Sequence, residues 1–165
     1  MEHLEIERKY LIRMPDKEKL AELPSSRIEQ IYILRGEGGR ERIRRREADG
    51  EPVFTHTAKR KLSDLTRIEQ ESEIPEEEYA ALRLLKDPER DVIHKTRYLY
   101  CYQNQVFEID IYPFWTDRAL MELELEREEQ KIFLPPDITV IRDVTSEEAY
   151  TNSSIAHSVP LEKID

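Results

Sequence analysis

Residues two apart on a β-strand share one face, and along this chain such faces repeatedly carry charge. Glu5, Glu7 and Lys9 form one row, and Arg42, Arg44 and Arg46 form another. Lys59 and Lys61 come next, then Arg67 with Glu69, Glu71 and Glu73. Lys95 with Arg97, Glu108 with Asp110, and Glu122 with Glu124 and Glu126 complete the series. The solvated outer side of an amphipathic strand accounts for any single row. It accounts poorly for the set, because like charges set opposite one another destabilise a strand pair. Whole faces of one sign cost stability unless a bound ligand compensates them. Carboxylates bind hard divalent cations such as magnesium or manganese. Arginine forks and lysine ammonium groups bind phosphate oxygens. A triphosphate carried with its metal ions needs both pools in one cavity. The metal also relieves the acids, which would otherwise raise one another's pKa and partly protonate.

The elements that must hold these rows read mostly as strands. Period-two alternation of charged and apolar residues marks segments 5–11, 29–35, 40–47, 53–61, 66–74, 92–102, 106–112 and 120–126. Gly36, Gly38 and Gly39 mark one hairpin turn, Asp49-Gly50 a second and Gln103-Asn104 a third. A short helix over 16–23 follows Pro15, and another runs from Pro75-Glu76-Glu77-Glu78 to Leu85. Thr145-Ser146-Glu147-Glu148 has the form of a capping box and predicts a short C-terminal helix. Eight strands with few helices predict an α+β fold, mainly β, in one domain spanning 1–165. The architecture expected is a closed eight-stranded antiparallel β-barrel with peripheral short helices, with an open sheet as its competitor. Ile6, Ile43, Ile68, Ile109, Leu123 and Leu125 then face outward, against helices or a subunit neighbour, which is compatible with a homodimer.

Composition narrows the partners. Charged residues make up 38% of the 165, well above the roughly 25% usual in globular domains. The net charge of −10 disfavours nucleic acid and anionic lipid, so any polyanion must meet a local basic pool. The single Cys101 gives neither an internal disulfide nor a zinc framework, and His3, His56, His94 and His157 lack metal-ligand spacing. No apolar run resembles a signal peptide or reaches the length of a membrane span, so a soluble cytoplasmic protein without a membrane partner is expected. A P-loop, a dinucleotide fingerprint and a Ser or Cys nucleophile motif are all missing. Phe114 and Trp115 read first as packing under a loop and second as the wall of a tunnel mouth.

His3-Leu4-Glu5-Ile6-Glu7-Arg8-Lys9 resembles the HxExExK signature of the CYTH superfamily, the triphosphate tunnel metalloenzymes, and in particular its short bacterial inorganic triphosphatases. Further segments resemble the family's later strands in order: Gln30-Ile31-Tyr32, Arg44-x-Arg46, Thr57-Ala58-Lys59, Arg67-Ile68-Glu69-Gln70-Glu71, Lys95-Thr96-Arg97-Tyr98, Phe107-Glu108-Ile109-Asp110 and Glu122-Leu123-Glu124. Tyr150-Thr151-Asn152 resembles its C-terminal Tyr-x-Asn segment, although Ala149, Thr151, Ser153 and Ser154 stand where relatives often carry Lys or Arg. The resemblance implies one or two Mg2+ or Mn2+ ions on Glu5, Glu7, Glu122 and Glu124, with Glu69 and Glu71 as further ligands. Asp110 and Glu108 would ligate metal through water or orient basic side chains. Lys9, Arg42, Arg44, Arg46, Lys59, Arg67, Lys95 and Arg97 would hold the polyphosphate. Lys9, Lys59 and Lys95 are the implied catalytic lysines, and Tyr32 gates or contacts the substrate. The implied activity is hydrolysis of the terminal phosphoanhydride of tripolyphosphate or a nucleoside triphosphate. A class IV type adenylate cyclase, a thiamine triphosphatase and a non-catalytic polyphosphate sensor remain as alternatives.

Overall fold

Period-two alternation becomes strand wherever charge and aliphatic side chains must leave the backbone on opposite sides. The computed structural model describes residues 2–34 and 40–165; the glycine turn expected at Gly36, Gly38 and Gly39 lies outside them. Its strands are β1 (Glu2–Arg13), β2 (Ser25–Leu34), β3 (Arg40–Ala48), β4 (Glu51–Lys61), β5 (Thr66–Glu73), β6 (Ile93–Tyr102), β7 (Gln105–Ile111), β8 (Arg118–Glu124) and β9 (Val140–Asp143). The helices are α1 (Lys17–Ala21), α2 (Glu76–Arg83) and α3 (Asn152–His157).

The strand order is β5-β4-β3-β2-β6-β7-β8-β1-β9, and pairing of β1 with β5 closes an eight-stranded antiparallel barrel. β1 makes the closure by serving several partners. Residues 2–6 pair with β5 and residues 7–13 with β8. Past the end of β5, β9 takes over that edge beside Tyr10, Leu11 and Ile12. The two predicted tight turns that fall among the described residues are present. Asp49 and Gly50 both take positive φ, as do Gln103 and Asn104, the left-handed geometry that lets a two-residue turn match strand twist.

The apolar side of the strands points out of the barrel and is largely covered, with Leu4 at the start of β1 left exposed. Ile31, Ile33, Ile43 and Phe54 lie under Tyr79 and Leu82 of α2. Ile6, Ile12, Ile109, Met121 and Leu123 lie under Leu20 of α1, Leu125 and Ile138. Each such side chain contributes about 1.5–3 kcal/mol when fully buried. Of the residues predicted to face outward, Ile6, Ile43, Ile109, Leu123 and Leu125 are buried and Ile68 is half-buried. Asp16 caps α1, accepting the Glu18 N–H at 2.9 Å.

Two expectations differ from the fold. β2 starts at Ser25, four positions before the predicted 29, because Ser26 and Arg27 continue the pairing with β6. The capping box does not open a helix. Thr145 Oγ1 instead accepts from the Lys9 backbone N–H at 2.9 Å. A 3-10 turn at Glu148–Tyr150 follows, and α3 begins after Thr151, whose hydroxyl accepts from Ser154 N. No helix among the described residues is long and apolar enough to cross a membrane.

Candidate active site

The inward rows change from charged to apolar along their length, and the change locates a cavity. On β1 the row Glu5, Glu7, Lys9 ends at Leu11. On β8 Glu124 and Glu122 lead to Leu120, after β7 Glu108 and Asp110 lead to Tyr112, and on β6 Arg97 and Lys95 lead to Ile93. The apolar ends pack with Tyr150, Ile155 and Ala156 from the C-terminal segment. That segment is anchored from outside: Trp115 Nε1 donates to Pro160 O at 2.9 Å, and Tyr150 Oη donates to Glu162 Oε1 at 2.6 Å. One end of the barrel is thereby sealed. The charged ends enclose a cavity of about 320 Å3, with Glu124 exposed at the open side.

Most of the predicted site residues meet there. Glu5, Glu7, Glu69, Glu71, Glu122 and Glu124 line the cavity, as do Lys9, Tyr32, Arg42, Arg44, Lys59, Arg67 and Arg97. Arg46, Lys95 and Asp110 do not line it. Arg46 Nε instead donates to Ser26 Oγ at 3.3 Å. Lys95, with a fully buried side chain, stands 2.7 Å from Asp110 Oδ2. Glu108, weighed as an orienting group, does reach the lining.

Other lining residues had no site role assigned from sequence: Glu41, Thr57, Thr151, Asn152 and Ser153, although Thr57, Thr151 and Asn152 lie in segments that resemble the family. Thr57 was detectable, since it sits two positions before Lys59 on the same face. Glu41 lies off the Arg42 row, and residues 151–153 arrive through tertiary folding without any charge to announce them. Gln30, fully buried, sits just behind the lining. Its Oε1 accepts from Arg44 Nε and Nη2 at 3.2 and 2.8 Å, while its Nε2 donates to Tyr32 Oη at 2.8 Å.

Opposite charges interlock inside the cavity. Lys59 Nζ lies 2.9 Å from Glu5 Oε1 and 3.4 Å from Glu69 Oε2. Lys9 Nζ lies 3.4 Å from Glu122 Oε1 and donates to Tyr150 O at 3.2 Å. Burial works against the Lys9 charge, but Glu122 and Glu7 hold its pKa above the ordinary value. Burial, reinforced by the charges of Glu122 and Glu5, pushes Glu7 up to about 8. Burial and a hydrogen bond with Glu5 push Glu69 up to about 7. Glu5 is opposed by burial yet falls to about 2, since Glu69 and Lys59 both stabilise its charge. Burial, with Arg42 and Arg97 nearby, brings Arg44 down to about 10.

This donor set fits a hard divalent cation. It is all carboxylate oxygen, and burial together with the neighbouring acids raises the pKa of Glu7 and Glu69, a shift that a bound cation would oppose. Among the described residues no three such groups are already gathered around one point. Lys59 and Lys9 occupy Glu5, Glu69 and Glu122 instead, so a cation must exchange with lysine partners.

No family model and no curated protein sequence matches the chain. Solved structures do match. Two structures of NE1496, one described as a hypothetical protein and one as an inorganic triphosphatase, align with TM-scores of 0.58 and 0.56 at 27% identity. They cover 94% of this chain and 99% and 96% of theirs. The PH1819 protein from Pyrococcus horikoshii OT3 aligns with a TM-score of 0.55 at 23% identity, over 76% of this chain and 80% of its own. The chain has the fold of the CYTH superfamily. In this barrel Glu5, Glu7 and Lys9 face the cavity together, as period-two spacing requires. Position 3 of the signature falls on the part of β1 that pairs with Glu69 of β5.

Proposed function

We propose that this protein is a divalent-metal-dependent triphosphatase that hydrolyses the terminal phosphoanhydride of inorganic tripolyphosphate or a nucleoside triphosphate inside its barrel. The observation that carries the reading is one sealed-end cavity lined by both a carboxylate pool and a guanidinium and ammonium pool. Likeness over nearly the whole chain to a structure described as an inorganic triphosphatase supports it.

In this reading Mg2+ or Mn2+ is held by Glu5, Glu7, Glu122 and Glu124, with Glu69 and Glu71 beside them. Such a cation, when bound, activates water and neutralises phosphoryl oxygens. The chain's own groups do the rest. Arg42, Arg44, Arg67 and Arg97 grip the phosphate oxygens and keep the substrate in line. Their fixed positive charge stabilises the negative charge spread over the transferring group, without reorganisation at the moment of reaction. Lys9 and Lys59 now pair with Glu122, Glu5 and Glu69, and would be free to meet the phosphate if those carboxylates held a cation. Tyr32, its hydroxyl fixed by Gln30 at 2.8 Å, orients the inner end of the substrate. The apolar seal keeps bulk water out at that end, which strengthens every charge interaction above it.

The test is product analysis. The purified protein is incubated with Mn2+ or Mg2+ and tripolyphosphate, ATP or thiamine triphosphate. Metal-dependent release of orthophosphate is expected. Cyclic AMP with pyrophosphate would move the assignment to a cyclase. Failure to turn over any triphosphate would leave a sensor as the better reading.

A further inference from the structure

Asp110 was expected either to ligate metal, through water, or to orient basic side chains, and its surroundings suit the second task. The residue is 1% exposed and has no cavity frontage. Its Oδ1 accepts from Arg97 Nε at 2.8 Å, and its Oδ2 accepts from Arg97 Nη2 at 2.9 Å. The same Oδ2 lies 2.7 Å from Lys95 Nζ. A carboxylate has about four lone-pair sites, and three of these already face cations. Burial opposes the Asp110 charge, but Lys95 and Arg97 hold its pKa well below the usual carboxylate range.

The other side of the clamp is Arg97. Its Nη1 donates to Glu108 Oε2 at 2.9 Å. A guanidinium carries five N–H donors. One on Nε, one on Nη2 and one on Nη1 are spent on Asp110 and Glu108. One donor on each Nη is left over, and Arg97 is among the residues that line the cavity. A bidentate fork is the arrangement that best fixes the plane of a guanidinium.

Resting on the triphosphatase reading above, we propose that Asp110 is a positioning residue and not a metal ligand. It sets the plane of Arg97 so that two free N–H groups address the polyphosphate, and it neutralises the buried Lys95 beneath.

Calorimetry tests this on the intact protein, titrating Mn2+ and tripolyphosphate separately into wild type, Asp110→Asn, Arg97→Gln and the double variant. Asp110→Asn is expected to weaken tripolyphosphate binding about tenfold, as misdirecting a charged hydrogen-bonding group does, while Mn2+ binding stays at the wild-type value. The double variant should bind tripolyphosphate no worse than Arg97→Gln alone, because the aspartate acts through the arginine. A purely structural role would instead make the losses add. Loss of Mn2+ affinity in Asp110→Asn, or additive losses in the double variant, would overturn the proposal. Asp110→Asn leaves Lys95 buried without its counter-charge, so Asp110→Asn/Lys95→Met serves as a second background if the single variant does not fold. Retained tripolyphosphate affinity in either background also overturns it. Wild type that binds neither ligand would sink the triphosphatase reading itself, an outcome separable from a failure confined to the variants.

Discussion

Arg44 shows how a single tunnel side chain acquires its direction. Its guanidinium is largely desolvated, and two of its nitrogens are pinned on Gln30 Oε1. Gln30 is pinned in turn through Tyr32. Arg44→Ala should therefore raise the KM for tripolyphosphate by roughly tenfold to a hundredfold, the range for removing a charge-assisted contact. Gln30→Leu touches no substrate and keeps the arginine, yet leaves its fork unguided. A smaller rise in KM in the same direction is expected, with the metal requirement unchanged. Steady-state kinetics on both variants checks this; an unaltered KM in Arg44→Ala would remove the residue from the phosphate pool. In the sequence Gln30 stands only within Gln30-Ile31-Tyr32, a segment that resembles a family strand. An uncharged residue two positions before a tyrosine carries no signal of its role until the barrel brings β3 alongside.

At the scale of elements, period two was the legible part. Glu5, Glu7 and Lys9 share a face because strand geometry leaves no alternative, and the same rule placed Arg42 with Arg44 and Glu122 with Glu124. Depth within the barrel was not legible. Lys95 and Asp110 obey the same alternation as Arg97 and Glu108, yet sit one step nearer the apolar seal and so fall behind the lining. The four-residue β9 was missed because so short a segment shows little periodicity, and β1 alone defines it. The α2 attachment illustrates a tertiary tie that sequence does not announce. Glu29 of β2 accepts from Tyr79 Oη at 2.8 Å and pairs with Arg83. Burial opposes the Glu29 charge, but Tyr79 and Arg83 together hold its pKa below the usual carboxylate range. A carboxylate with a depressed folded pKa stabilises fully above its unfolded pKa, and the contribution disappears as pH falls through the folded one. Tyr79→Phe should cost about 1 kcal/mol at pH 7 and a smaller amount once acid has protonated Glu29. Denaturant unfolding at neutral pH and at pH 3 measures both; an equal cost at the two pH values would disconnect the tyrosine from the carboxylate.

The whole molecule pays for its cavity with repulsion that Lys9, Lys59 and Arg97 relieve only in part. The net charge is −10, and carboxylates from β1, β5, β7 and β8 crowd into one barrel. Glu7 directly opposes Glu124, and Glu108 directly opposes Glu122, arrangements that destabilise the β1–β8 and β7–β8 pairings on which barrel closure depends. A divalent cation held among these groups would convert the repulsion into ligation and bind only the folded barrel. At about a hundredfold excess over its dissociation constant it should stabilise by about 2.7 kcal/mol, or about 5–10 °C in thermal midpoint for a chain of this size. Sodium chloride at matched ionic strength only screens charge and should give far less. Glu7→Gln relieves the repulsion covalently without breaking the Lys59–Glu5 pair, so this variant should melt at or above the metal-free wild type while losing most of the Mn2+ response. Scanning calorimetry with and without Mn2+ separates the two effects. An equal midpoint shift in sodium chloride and in Mn2+, or a variant that keeps the full Mn2+ response, would show that the acidic rows are not held apart for a metal.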